Sequence, residues 1–193
     1  MKRLKILCLA VVAVLALGLT AAASASAHEF EASKSGKLKR VSNTTQIFTA
    51  SSSHAVECST DEIAKGEAKE GKQESVLVEV EYSGCHVVVF GFSFNATVSL
   101  AQYLFLASGL VHLENLVKIS VPIAGCEISV PAQNNLESVT YLNTPAKDIT
   151  LDANVTGIVS TGSGGECGSG LSSTGTYTGQ TVTSLEGGEI KWK

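Results

Sequence analysis

The sequence predicts an all-β fold: a single, disulfide-braced β-sandwich of the Greek-key or Ig-like kind, with a β-barrel as the alternative. Apolar and polar residues alternate along many short segments of the 193-residue chain, as strands with one buried face require. Turn residues separate these segments at intervals of roughly 8–12 positions. Helical periodicity is almost missing, which argues against an α/β fold.

The N-terminal segment has the pattern of a signal peptide. The basic stretch Lys2–Lys5 precedes the apolar run Ile6–Leu19, and the small residues Ala25–Ala27 form a cleavage site before His28. The apolar run is too short to span a bilayer comfortably. We therefore expect residues 1–27 to be removed, leaving residues 28–193 as a single secreted all-β domain with no membrane span.

The chain that remains after this cleavage is acidic. Three of the 14 basic residues lie in the removed segment, so 11 remain against 18 acidic residues, a net charge of −7. Because a phosphate backbone attracts a basic surface, this balance argues against nucleic-acid binding. The expected partner is an unknown extracellular ligand or a component of the cell envelope.

The first strand patterns follow the N-terminal signal segment. Gln46–Ala50 is a short strand candidate, and Asp61–Glu74 is charged and interrupted by glycine, which indicates a solvated loop or a short helix. Val76–Tyr82 alternates valine and tyrosine with mostly acidic residues, which predicts a half-buried strand with an acidic outer face. Ser83-Gly84 predicts a turn before another strand at Cys85–Phe90.

The middle of the chain is the most apolar part. Phe92–Leu100 alternates with period two, which predicts a strand. Val98–Leu113 has only 16 residues and is broken at Ser108-Gly109. It therefore predicts a buried hairpin, or a short helix at Leu100–Ala107, instead of a membrane segment.

Five further strands are predicted in the second half. They are Leu116–Val121, Cys126–Val130, Ser138–Leu142, Asp148–Ala153 and Val155–Ser160. After them, Thr161–Ser173 is a loop rich in glycine and serine, Thr174–Thr183 alternates again, and Gly188–Lys193 predicts a last short strand.

Four cysteines remain after the signal segment: Cys58, Cys85, Cys126 and Cys167. An even number in an exported chain predicts two disulfides, and three connectivities are possible. We favour Cys58–Cys85 and Cys126–Cys167, because each pair closes a loop within one half of the chain. Loops of roughly 28 and 42 residues would each contribute about 3–4 kcal/mol in the chain-entropy model. No C-x-x-C motif suggests a cysteine-bound metal.

Several segments of this sequence are similar to segments of a known group of proteins. They are Glu57–Thr60, Tyr82–Cys85, Cys126–Gln133, Val139–Asn143, Asp148–Ile158, Cys167 and Gly175–Gly179. In these the chain resembles a group of small exported proteins of soil actinobacteria. The resemblance implies a secreted, β-rich fold and no assigned activity. Such relatives often carry another cysteine pair in the middle of the chain, and the segment Phe92–Gly125 has none.

His28 carries the sharpest chemical hypothesis. If signal cleavage frees its α-amine, that amine and the imidazole can chelate Cu(II), with His54, His86 or His112 as the second histidine. Exported copper oxygenases that act on polysaccharides, and some copper carriers, have a copper site of this kind at an N-terminal histidine. The residues Glu29–Glu31 do not resemble those enzymes, and only 6% of the chain is aromatic. The sequence therefore favours no metal and no cofactor.

Other catalytic candidates are weaker. Glu79 and Glu81 share one face of a strand with Cα atoms about 6.5–7 Å apart, a spacing that glycosidases use, but a solvated strand face explains them as well. Asp148 and Asp152 could form a cation patch, without the Asp/Asn-rich loop of a calcium site. No G-x-S-x-G nucleophile motif is present.

Three functional hypotheses follow. The leading one is a secreted, non-enzymatic β-domain that serves as a cell-surface or extracellular binding or structural module. The second is a secreted copper-dependent polysaccharide oxygenase or copper carrier that uses His28. The third is an inhibitor that presents a loop such as Thr161–Ser173 to its target.

Intact mass spectrometry of the exported protein tests this framework. We expect the mass of a chain that begins at His28. On reduction this mass should rise by four hydrogens, two for each of two disulfides. A mass that retains residues 1–27, or one that does not change on reduction, would contradict the interpretation of the N-terminus or of the cysteines.

Overall fold

The computed structural model describes residues 28–50, 55–89, 91–122, 125–164 and 170–193. Within these residues it contains seventeen β-strands and no α-helix. The all-β prediction is therefore confirmed. The residues assigned to the signal peptide, 1–27, lie outside the described part of the chain.

The strands differ greatly in length. The first nine are β1 (Phe30–Ala32), β2 (Gly36–Asn43), β3 (Gln46–Thr49), β4 (Ala55–Ala68), β5 (Gly71–Gln73), β6 (Ser75–Val89), β7 (Phe92–Asn95), β8 (Thr97–Val98) and β9 (Ala101–Leu106). The others are β10 (Val111–Leu113), β11 (Val117–Val121), β12 (Cys126–Val130), β13 (Gln133–Leu136), β14 (Val139–Asn143), β15 (Ile149–Ser163), β16 (Gly170–Leu185) and β17 (Ile190–Trp192).

All pairings between these strands are antiparallel. The larger sheet has 14 strands and the path β13-β10-β9-β6-β4-β2-β16-β15-β12-β11-β8. Strands β3, β7 and β14 pair beside this path, and a second sheet has the order β17-β1-β5. The long strands β4, β6, β15 and β16 lie in the middle of the path, and the arrangement is consistent with the predicted β-sandwich.

The buried hydrophobic residues form one core, to which both sheets contribute. Every second residue is buried in β11 and in β12, as expected of strands with one inner face. The small sheet joins this core through Phe30, whose ring packs edge-on against Tyr141 with 5.0 Å between centroids. Trp192 adds a hydrogen bond from its indole N–H to the carbonyl of Ala107, at 2.8 Å. The two sheets therefore share one interior.

The prediction of a loop or short helix at Asp61–Glu74 is wrong. Strand β4 continues to Ala68, and β5 follows at Gly71–Gln73. The charged side chains that suggested a loop, including Glu62 and Lys65, lie on the exposed face of β4. Apart from Asp61, which is buried, the charged residues of β4 therefore mark the outer face of a strand.

The predicted turn at Ser83-Gly84 is also wrong, because β6 runs through it. Gly84 has φ +61°, and the inner face of β6 passes there from Tyr82 to Cys85, a step of three residues. The paired strand β4 makes the same step, from Cys58 to Asp61. Gly84 therefore bends a continuous strand. Beyond it, the alternation of inward and outward side chains is shifted by one residue.

The hairpin alternative for Val98–Leu113 is confirmed, and the helix at Leu100–Ala107 is not formed. β9 and β10 pair directly, with Val111 opposite Phe105. The strands predicted at Asp148–Ala153 and Val155–Ser160 are one strand, β15. The predicted loop Thr161–Ser173 is shorter than expected, because β15 extends to Ser163 and β16 begins at Gly170; residues 165–169 lie outside the described part.

The favoured disulfide Cys58–Cys85 is confirmed. The two residues are direct partners in the pairing of β4 with β6, with a Cα–Cα distance of 3.9 Å. Cys126 is disulfide-bonded as well, and its predicted partner, Cys167, lies outside the described residues. The Cys58–Cys85 disulfide therefore links β4 and β6 covalently, next to the point where the inward and outward alternation of both strands shifts by one residue.

Replacing Gly109 by alanine should destabilise the protein more than the same change at Gly71. The two glycines have φ values of +89° and +90°, so both substitutions carry the left-handed penalty of about 1–2 kcal/mol. A Cβ at Gly109 would lie 2.8 Å from the backbone oxygen of Val139, whereas none lies within 4 Å at Gly71. Urea unfolding of both variants measures the difference, and equal losses would contradict the close approach of the β9–β10 turn to Val139.

Candidate functional site

The core of the described residues contains an apolar cavity. Its volume is about 160 Å³, and its walls are mostly valine, leucine, isoleucine and aromatic side chains of the core. The polar side chains in the lining are Gln46, Asp61, Tyr82, Tyr103, Tyr141, Tyr177, Thr181 and Thr183. The site is therefore an apolar chamber with a small polar group of residues in its wall.

Strand register brings the polar residues together. Asp61 and Tyr82 are direct partners in β4 and β6. Tyr103 in β9 is paired with Val78 of β6, and Tyr177 in β16 is paired with Phe48 of β3. The inner faces of these neighbouring strands place the three tyrosine hydroxyls in contact.

The tyrosine hydroxyls form a directed chain of hydrogen bonds. Tyr177 donates to Gln46 Oε1 at 2.5 Å. The Tyr82 hydroxyl lies 3.2 Å from that of Tyr177 and 3.0 Å from that of Tyr103. Since the Tyr177 proton is used on Gln46, Tyr82 donates to Tyr177, and Tyr103 donates to Tyr82.

Gln46 fixes the direction of this chain. Its amide nitrogen donates to the carbonyls of Thr44 and Gln180, at 3.0 and 3.3 Å. That leaves Oε1 as the acceptor that faces Tyr177. Only 2% of Gln46 is exposed, so a reversed amide would leave buried polar atoms without partners.

Asp61 is the one charged residue in the described lining of the cavity. Thr181 donates to its Oδ2 at 2.6 Å. Its other oxygen, Oδ1, is buried and has no hydrogen-bond partner. The residue as a whole is 6% exposed. A buried carboxylate oxygen without a partner is expensive, which marks this atom as exceptional.

Burial shifts the proton equilibria of this group of residues. It raises the pKa of the Asp61 carboxyl above its ordinary 3.8, against the opposing effects of the Thr181 hydrogen bond, of the residue's own backbone N–H and of the Arg40 charge. Burial also raises the pKa of Tyr103 to about 12. The pKa values of Tyr82 and Tyr177 are raised well above 10, again mainly by burial. The tyrosines therefore keep their protons and remain hydrogen-bond donors.

The described histidines of the copper hypothesis lie in different parts of the fold: His28 precedes β1, His86 is in β6 and His112 is in β10. The His28 ring stacks on Trp192 at 4.4 Å, with Nδ1 3.2 Å from the carbonyl oxygen of Lys193. His86 in β6 faces Glu57, and His112 in β10 faces Glu114. His54 lies outside the described residues. Among those described, no three His, Cys, Asp or Glu side chains form a group that could hold a metal ion.

The predicted carboxylate pairs lie on outer faces. Glu79 binds Lys65 and Gln102, and these hydrogen bonds lower its pKa. A carboxyl with a lowered pKa is poorly suited to be the general acid of a glycosidase. Asp152 is exposed on β15, and Asp148 precedes that strand. Neither pair lines the cavity.

Sequence reasoning missed Asp61 as a site residue. It placed Asp61 in a solvated loop or short helix, because the segment Asp61–Glu74 is charged and interrupted by glycine. The available signal was the spacing of Asp61 from the apolar Ile63. Residues two apart share one face of a strand, and both of these residues line the cavity.

Comparisons with known proteins supply no family for this chain: no family model, no curated protein and no solved structure matches it. No helix that is long and apolar enough to cross a membrane occurs in the part of the chain that the structure describes. The cavity is therefore the main guide to function.

Asp61→Asn should gain stability, relative to the wild type, as the pH rises. A raised carboxyl pKa in the folded state contributes stability below about pH 3.8, and this contribution is lost as the pH rises through the folded value. The difference in unfolding free energy between variant and wild type should therefore favour the variant more at pH 7 than at pH 3.

Urea titrations at both pH values measure this difference. Asp152→Asn removes the same charge from an exposed position and controls for net charge. A relative stability of Asp61→Asn that falls between pH 3 and pH 7, after subtraction of this control, would contradict the burial of Asp61.

Proposed function

We propose that this chain is an exported, non-enzymatic binding module, and that its ligand is a small, mainly apolar molecule held in the interior cavity. The pattern of residues 1–27 and the disulfide Cys58–Cys85 support an exported location. The ligand would come from the extracellular space or from the cell envelope.

The observation that carries the proposal is the volume of the cavity. Protein interiors pack as densely as organic crystals, and voids larger than a water molecule are few. A volume of about 160 Å³ with apolar walls is therefore unusual for a packed core. A ligand that fills it would add dispersion contacts with the surrounding side chains.

The volume also limits the size of the ligand. A cavity of about 150 Å³ with apolar walls is known to accept benzene. A single ring, or a short chain of similar volume, is therefore the expected scale. Larger lipids and sugar chains would require the core to open. Nothing in this proposal requires bond-making chemistry, which agrees with a carrier or sensor of small molecules.

Toluene binding tests the proposal. Toluene should bind saturably and raise the melting temperature, because a ligand that binds only the folded state stabilises it. A gain of about 1 kcal/mol corresponds to about 2–4 °C for a domain of this size. Thermal unfolding at increasing toluene concentration, with calorimetry at room temperature, measures both effects.

Filling the cavity should abolish this binding. Ala153 is buried in the cavity wall, whereas Asn154 is exposed on the same strand. Ala153→Leu should remove toluene binding, and Asn154→Leu, which adds the same side chain outside, should retain it. Val78→Ile adds one methylene to the wall and should weaken binding partially. Absence of saturable binding to the wild type, or equal binding by all three variants, would refute the cavity as the site.

A further inference from the structure

We infer that the cavity ligand carries one hydroxyl group, and that Asp61 Oδ1 recognises it by accepting its hydrogen bond. This inference rests on the proposed function and specifies the chemical class of its ligand. The expected ligand is a small phenol or a similar apolar alcohol.

The unpartnered oxygen of Asp61 is the first observation. Oδ1 is buried without a partner while Oδ2 is occupied by Thr181, and the residue lines the cavity at 6% exposure. The Oδ1 atom has almost no accessible surface, so bulk water does not reach it, and a ligand hydroxyl reaches it when the carboxylate rotates toward the cavity that Asp61 lines.

The direction of the tyrosine chain is the second observation. Tyr103 donates to Tyr82, Tyr82 donates to Tyr177 and Tyr177 donates to Gln46, so each hydroxyl proton is already used. The amide protons of Gln46 are used on backbone carbonyls. The three tyrosines and Gln46 therefore offer the ligand acceptors and no free donor. A ligand that carries only acceptors, such as a ketone or an ether, would find no donor among these residues and would depend on the Thr183 hydroxyl, which also lines the cavity.

Charge favours a neutral hydroxyl over a cation. The described lining contains no lysine, arginine or histidine, and apart from Asp61 its polar residues are uncharged. An ammonium group would have to lose its water in an otherwise apolar chamber, and that desolvation can exceed the attraction to one carboxylate. A hydroxyl loses much less solvation and still forms a charge-assisted hydrogen bond to Asp61.

Phenol and toluene provide a matched pair of probes, because a hydroxyl replaces a methyl group on the same ring. At pH 8, calorimetry should give a ratio of phenol to toluene affinity that is about tenfold higher in the wild type than in Asp61→Leu, since a hydrogen bond to a charged acceptor is lost. Asp61→Asn should lie between them, because its oxygen is a neutral acceptor. Asp152→Asn, on the outer face, should keep the wild-type ratio.

A measurement on the wild type avoids dependence on the folding of these variants. The chain has three aspartates, Asp61, Asp148 and Asp152, so carboxyl ¹³C labelling of aspartate gives three signals. Phenol should shift the Asp61 signal strongly and toluene should shift it weakly, with the other two signals as internal controls.

The outcomes separate this inference from the proposed function. Saturable toluene binding with a phenol-to-toluene ratio that is the same in all variants, and an Asp61 signal that responds equally to both probes, would overturn the role of Asp61 and leave the cavity as a binding site. Failure of both probes to bind the wild type would overturn both proposals.

Discussion

The antiparallel pairing of β4 with β6 determines what the interior contains, because both strands exchange their inner and outer faces at the same level. Beyond Gly84, Cys58 and Cys85 point inward and form the disulfide. Before it, the inner positions belong to Asp61 and Tyr82. A side chain in a strand changes face with a shift of one residue, so this bend alone brings a carboxyl group into the core.

The polar residues of the cavity are stable only as a set. Each tyrosine hydroxyl supplies the acceptor for the next, and the set ends at Gln46, whose amide is fixed by the backbone. Buried polar groups of this kind are expensive when incomplete and rigid when complete. Asp61 Oδ1 is the exception. An incomplete hydrogen bond in an otherwise satisfied set is where a ligand can contribute most.

The hypotheses that began from reactive residue types differ from the cavity hypothesis in one physical respect. A carbonyl oxygen or a charged side chain already faces His28, His86 and Glu79. The cavity combines apolar area, which provides affinity, with one directional polar atom, which provides selectivity. Small-molecule sites in proteins commonly combine these two elements.

The sequence by itself determined the elements whose signals are local. Period-two alternation predicted a strand with Val76, Val78, Val80 and Tyr82 on its inner face, and the spacing of cysteines favoured Cys58–Cys85. It could not predict that β6 continues through Ser83-Gly84, because a glycine that bends a strand has the same local signature as one that ends it. Nor could it predict Asp61 as a site residue, because charge normally marks an outer face.

Only the tertiary structure decided the composition of the cavity, since its polar residues come from distant parts of the chain. Asp61 meets Thr181 across 120 positions, and Tyr82 meets Tyr177 across 95. Such contacts depend on which strands become neighbours and in what register. Alternation within one strand gives the two faces of that strand, but it carries no information about the partner that will cover either face.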